Sequence, residues 1–138
     1  AQLMEKLDTP VASSDKNGNP SLNSNYGAKE LDLFAPGMDI YSSYMGDTYQ
    51  TGSGAGLSSA TVAGVAALVK AYYPNLTGSQ IRNILLKTVT SRKGVEVEKG
   101  IIVNNKQTQD LFLFEDLCLS GGILNAYQAI MAADKLTK

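Results

Sequence analysis

The chain has 138 residues, the size of one ordinary domain, and a domain of that size buries ~68–70% of the surface its unfolded chain exposes. Hydrophobic residues make up 43% and charged residues 18%, a globular and not a disordered balance. With 12 Lys and Arg against 13 Asp and Glu, the net charge is −1, which offers no basic field for nucleic acid or an anionic membrane.

Cys118 is the one cysteine, so an internal disulfide and a CxxC metal or redox centre are both excluded. Histidine is absent, and with it the commonest general base and metal ligand. No resident metal or cofactor is expected. Residues 1–10 carry Glu5, Lys6 and Asp8 and lack the apolar run of a signal peptide.

The first half of the chain reads as short strands cut by turns. Residues 11–14 form a strand that runs into Asp15-Lys16-Asn17-Gly18-Asn19-Pro20, whose Asn-Gly and Asn-Pro pairs mark a tight turn. Residues 31–34 alternate with period two before Ala35-Pro36-Gly37, and residues 39–44 and 48–51 read as further short strands. Asp32 and Asp39 fall in this region as solvated or turn-bonding carboxylates.

The second half is helical. Residues 57–73 are apolar on all sides and rich in small residues, the pattern of a helix with neighbours all round, Val65 and Leu68 in its core. Their length touches the lower limit for a membrane span, but Ser58, Ser59, Thr61 and Gly64 dilute them and Pro74 ends them, so a core helix is expected. Thr77-Gly78-Ser79-Gln80 is a capping box, with Leu76 and Ile81 at the staple positions of the next helix. Most of Lys70, Arg82, Lys87, Arg92 and Lys93 are expected on solvated faces of the two helices, and Tyr72-Tyr73 at the edge of the core. Residues 91–110 read as a polar loop or loose hairpin, Cys118 as a buried small hydrophobe, and residues 123–136 as a last helix.

The stretch with chemical content is Thr48 to Gly64, in which a strand feeds Gly52-Ser53-Gly54-Ala55-Gly56 and opens straight into the apolar helix. Helix N-termini carry unpaired N–H groups and partial positive charge, so they hold anions and developing oxyanions. A phosphate cradle at Gly52–Gly56 is one reading. It lacks the acidic partner of the dinucleotide fingerprint, since no Asp or Glu lies between Gly56 and Glu96, and it lacks the Lys-Ser/Thr pair of a P-loop.

The same stretch resembles the nucleophile region of subtilisin-like serine peptidases (subtilases), whose pattern is S-G-T-S-M-A-x-P-x-V-A-G before an apolar helix. Other segments resemble the family in the same order. These are Val11-Ala12-Ser13-Ser14-Asp15, Ser24-Asn25-Tyr26-Gly27, Leu31-Asp32-Leu33-Phe34-Ala35-Pro36-Gly37, Tyr73-Pro74-Asn75-Leu76-Thr77 and Gly121-Gly122-Ile123-Leu124-Asn125-Ala126. The resemblance implies an α/β chain, part of a subtilisin-like three-layer fold with a mainly parallel sheet and a central buried helix. It divides the chain 1–138 into strands and turns (1–55), two helices (56–90), a variable loop or hairpin (91–120) and a C-terminal helix (121–138). Aligned without gaps, Gly56 takes the place of the nucleophilic serine, Ala55 that of the Thr, Leu57 that of the Met and Ala60 that of the Pro. A rival alignment makes Ser58 the nucleophile, but it deletes two residues inside the helix and rotates all that follows by ~200°.

In subtilases the order is Asp, then His, then Ser, so the matched segments imply the C-terminal part of such a domain. The expected function is a pseudopeptidase or structural and interaction module, inactive on its own. The alternative is one part of a serine endopeptidase, completed by an N-terminal portion that carries Asp, His and the oxyanion Asn. Expected partners are such an N-terminal portion or a second copy, with a peptide or protein ligand in reach and no nucleic acid or membrane. The resemblance alone implies an extracytoplasmic or secreted setting.

Overall fold

In the computed structural model, which describes residues 8–22 and 24–138, Val11–Ser14 (β1) runs parallel to Leu33–Pro36 (β2), with Val11 opposite Leu33 and Ser13 opposite Ala35. Two short strands extend the sheet beyond β2. Gly122–Ile123 (β8) is parallel to β2, and Thr90–Ser91 (β5) is antiparallel to β8, giving the order β1-β2-β8-β5. The sheet is therefore mainly parallel, as expected.

Strand alternation divides the core in two. Leu33 and Ala35 face three helices, Ala55–Tyr72 (α1), Gly78–Lys87 (α2) and Ala126–Thr137 (α3), and pack with Val62, Val69, Ile84 and Ala129. Ala12 and Phe34 face the other way, onto Phe114, Leu117 and Cys118, all fully buried. The Phe34 and Phe114 rings meet at 5.1 Å between centroids. A parallel sheet is stable when both faces are covered, and this one is a middle layer.

The turn at Asp15 forms as its residues dictate. The Asp15 carboxylate accepts the N–H groups of Asn17 and Asn19, and Gly18 takes φ +81°. Thr77 and Gln80 complete the capping box at the start of α2, with staple residues Leu76 and Ile81 both buried. Cys118 is buried with a free thiol.

Four expectations need correction. The segment expected as a loop or loose hairpin contains a regular antiparallel ribbon, Glu96–Val103 (β6) with Lys106–Leu113 (β7), in register from Glu96 opposite Leu113 to Val103 opposite Lys106. Its few turn residues gave little sign of strands that long. Asp32 is not solvated: it is buried and its Oδ2 accepts from Arg82 at 2.6 Å, so Arg82 is no free surface cation. The last helix starts three residues later than its apolar pattern, because Asn125 caps it and Ile123 belongs to β8.

The fourth correction concerns α1. The helix is apolar all round, yet it buries only Ser58, Val62 and Val69. Its length and composition match a membrane-crossing helix, but it packs by one face on β1 and β2. Leu68 is 43% exposed and Val65 is half-buried, because no described residue covers the face away from the sheet.

This distribution sets the cost of core deletions. Leu33→Ala, at a fully buried β2 position, should lower unfolding free energy by about 2–5 kcal/mol. Leu68→Ala should change it by about 0.5 kcal/mol or less. Urea unfolding of the two variants beside the parent measures both. The reverse order of effects would place the buried face of α1 on the opposite side.

Candidate functional site

Ile40–Tyr44 (β3) and Thr48–Gly52 (β4) form an antiparallel hairpin whose second strand delivers the chain to the start of α1. Gly54 is the N-cap, at φ +153°, where side chains are rarely accommodated. Its N–H donates to the Gly37 carbonyl at 2.7 Å, and its own carbonyl accepts from Leu57 and Ser58 at 3.1 and 3.4 Å. Gly56 is therefore one residue inside the helix and is not its cap. The amides of Ala55 and Gly56 belong to the first turn, whose N–H groups have no helical acceptor.

Gly56 is exposed, and a Cβ built there would meet nothing within 4 Å. No steric demand makes this position a glycine. Gly37 is the opposite case. A Cβ on it would collide with the Ser58 hydroxyl and approach Ser13 Oγ to 2.7 Å and the Gly54 carbonyl to 2.8 Å. The end of β2 and the start of α1 touch there with no room for a methyl group.

Ser58 lies under this junction, fully buried, and its hydroxyl donates to the Ala35 carbonyl at 3.0 Å. Ser59 is exposed on the next position of the helix. Asp39 is exposed and takes φ +55° in the link between β2 and β3, where its N–H donates to Ser53 Oγ at 2.9 Å. The structure thus gathers Gly54, Gly56, Ser53 and Ser58 at one helix end and leaves Asp32 apart, tied to Arg82.

Beside this end is a cavity of about 310 Å³ lined by Ser13, Ser21, Ser24, Asn25, Ser53, Gly54 and Ala55. Its walls come from three separate segments, which no local sequence pattern links. A larger cleft, about 870 Å³, lies between Pro10, Tyr26 and the tip of the β6–β7 ribbon and includes no residue of the glycine turn. Among the described residues, no three His, Cys, Asp or Glu side chains gather as a metal would need.

Ser21 and Ser24, which help to wall the smaller cavity, are fixed from two sides. The Ser21 N–H donates to the Ser13 carbonyl at 2.9 Å, and the Ser13 N–H to Ser24 Oγ at 3.1 Å. From β6, the buried Lys99 ammonium donates to the carbonyls of Ser21 at 2.5 Å, Ser24 at 2.6 Å and Leu22 at 3.3 Å, and lies 5.4 Å from the centre of the Tyr26 ring. In a segment that reads as a polar loop or loose hairpin, nothing in the sequence marks this lysine as interior.

A model of the subtilase family matches residues 9–110. The chain belongs to the subtilase family. It is 43% identical over 88 residues to subtilisin DY of Bacillus licheniformis, a match that covers 62% of this chain and 32% of that protein. It is 40% identical over 94 residues to subtilisin Savinase of Lederbergia lenta, covering 68% and 35%. Among solved structures it is similar to the prenylagaramide maturation protease PagA, with 28% identity and a TM-score of 0.66 over 89% of this chain and 41% of that one. It shares its fold with the A-subunit of the AB5 toxin from E. coli, at 24% identity and a TM-score of 0.67 over 96% and 40%. The chain spans about a third of the length of these curated relatives.

Lys99 gives this region of the subtilase chain a pH signature. Burial pulls its ammonium from the ordinary 10.5 down to about 8. Between those values the unfolded chain holds a proton that the folded chain has released, so this group makes stability rise with pH across that window. Below about 8 both states are protonated and the contribution is flat. Urea midpoints of the parent should therefore gain on those of Lys99→Met from about pH 8 to 10.5. A constant gap between the two proteins would show an ammonium as well solvated as a surface lysine.

Proposed function

We propose that this chain is the C-terminal portion of a subtilase domain acting as a non-catalytic structural or interaction module. The observation that carries the reading is Gly56, exposed in the first turn of α1 at the position that aligns with the family nucleophile. Glycine leaves backbone N–H groups at the helix end and supplies no oxygen to attack a carbonyl. A serine hydroxyl elsewhere needs a base within hydrogen-bond reach, and the chain has no histidine.

The partner in this reading is an N-terminal subtilase portion. Two features support it. The relatives are about three times as long as the matched stretch, and the outward face of α1 leaves Ala63, Ala67, Leu68, Ala71 and Tyr72 exposed. An apolar helix face of that extent is stabilised by cover.

The second reading assigns Ser58 as nucleophile in a completed endopeptidase. Its supporting feature is the local Gly-x-Ser spacing of Gly56-Leu57-Ser58. Against it stands the burial of the hydroxyl beneath Gly37 and its bond to Ala35.

A fluorophosphonate probe separates the two. The chain should keep its unlabelled mass, and Gly56→Ser, which has space for its side chain, should fold like the parent and also stay unlabelled for want of a histidine. A stoichiometric adduct on Ser58 of the parent would reject the non-catalytic reading.

A further inference from the structure

We propose that the β3–β4 hairpin is a docking surface for a basic, extended polypeptide segment, held by tyrosine rings that lie between two carboxylates. Every strand residue of the hairpin except Ile40 is exposed, and the extensive packing of each strand is against the other. A two-stranded ribbon with so little support is marginal in water on its own. Tyr41, Tyr44, Met45 and Tyr49 are each more than half exposed. Single exposed apolar side chains are ordinary, whereas four close together on one hairpin mark a contact surface. Tyr and Met are enriched at the centres of protein interfaces, and tyrosine supplies a large, rigid contact area at low entropic cost.

The ladder puts Tyr41 opposite Thr51 and Tyr49 opposite Ser43, so both rings project from one face as diagonal neighbours. They stack with centroids 5.8 Å apart and planes 23° apart, and together form one aromatic surface. Tyr44 projects from the opposite face. The charge on this part of the chain has a single sign. Between Leu33 and Val69 the charged residues are Asp39 and Asp47, with no Lys or Arg. Both are exposed, and neither carboxylate has an ion-pair partner among the described residues. Asp39 precedes β3 and Asp47 lies in the turn that follows it, so the two stand roughly 17 Å apart along the strand, with the rings between them. The face of an aromatic ring attracts an ammonium or guanidinium, and the carboxylates act in the same sense. An extended peptide with a cation at every second position has the same rise per residue, so its cations fall over the rings and beside both carboxylates. An acidic segment is repelled. The surface shares no residue with the outward face of α1 and includes neither Gly56 nor Ser58, so it does not depend on the reading of the helix end.

Titration of the isotope-labelled chain with an end-blocked octapeptide of alternating Arg and Ser, followed by amide chemical shifts, tests it; the same peptide with Glu in place of Arg is the control. The Arg peptide should shift the amides of residues 39–52 saturably, and the Glu peptide should not. Replacing both rings, Tyr41→Ala with Tyr49→Ala, should weaken binding about tenfold, whereas Tyr44→Ala on the other face should leave it within about twofold. Asp39→Asn with Asp47→Asn should also weaken it, and this pair keeps the proposal testable should the ring variants fail to fold. Saturable shifts centred elsewhere, no saturation, or equal binding of the Glu peptide overturns the proposal. So does a double ring variant that folds and binds like the parent, because that result reduces the attraction to general charge.

Discussion

The arrangement of this chain depends on one close approach, that of Gly37 to Ser13, Gly54 and Ser58. The end of β2 must reach the start of α1 closely enough for the Gly54 N–H to bond the Gly37 carbonyl at 2.7 Å and for Ser58 to reach Ala35. Any side chain at Gly37 would occupy the space of those atoms. The contact links sheet to helix where a side chain leaves the first turn of α1, so it fixes where that turn points. Ser13, Gly37, Gly54 and Ser58 come from three segments, and small residues are the only ones that permit the approach.

In the reading proposed above, this is how the helix end keeps its shape without a reacting group. The geometry of the turn rests on Gly37, Gly54 and the buried Ser58, while Gly56 projects outward and touches nothing. Chemistry and architecture are held by different residues two positions apart on one helix. In the non-catalytic reading proposed above, a glycine at position 56 supplies no oxygen for attack and leaves the packing unchanged. The N–H groups of the first turn, properties of the backbone, persist whatever side chain stands at position 56.

Local signals were the legible ones. The span of β1, the Asp15 turn, the capping box of α2 and the burial of Cys118 all follow from neighbouring residues. Gly54, Gly56 and Ser58 were placed at a helix start by the strand-to-helix switch in pattern. What sequence could not show was pairing at long range. Asp32 meets Arg82 fifty positions away, and Lys99 meets the carbonyls of Ser21 and Ser24 from more than seventy. In each case a charged residue looks like surface until its partner is known. The serine-lined cavity was hidden for the same reason, since single serines at 13, 24 and 53 are unremarkable until the fold brings them together.

The apolar character of α1 is legible in its sequence and the extent of its burial is not. Hydrophobic pattern records what a helix packs against in its working state, whereas exposure records what these residues cover. Val62 and Val69 lie against the sheet and are satisfied within the chain; Leu68 and Tyr72 are on the side that no described residue reaches. The only charge on the helix, Lys70, reaches forward past the helix end to donate to the carbonyls of Pro74 and Leu76. The outward face thus keeps small and apolar side chains with no charge to hold it in water. In the reading proposed above, that face is the surface on which the chain meets an N-terminal subtilase portion, through apolar cover.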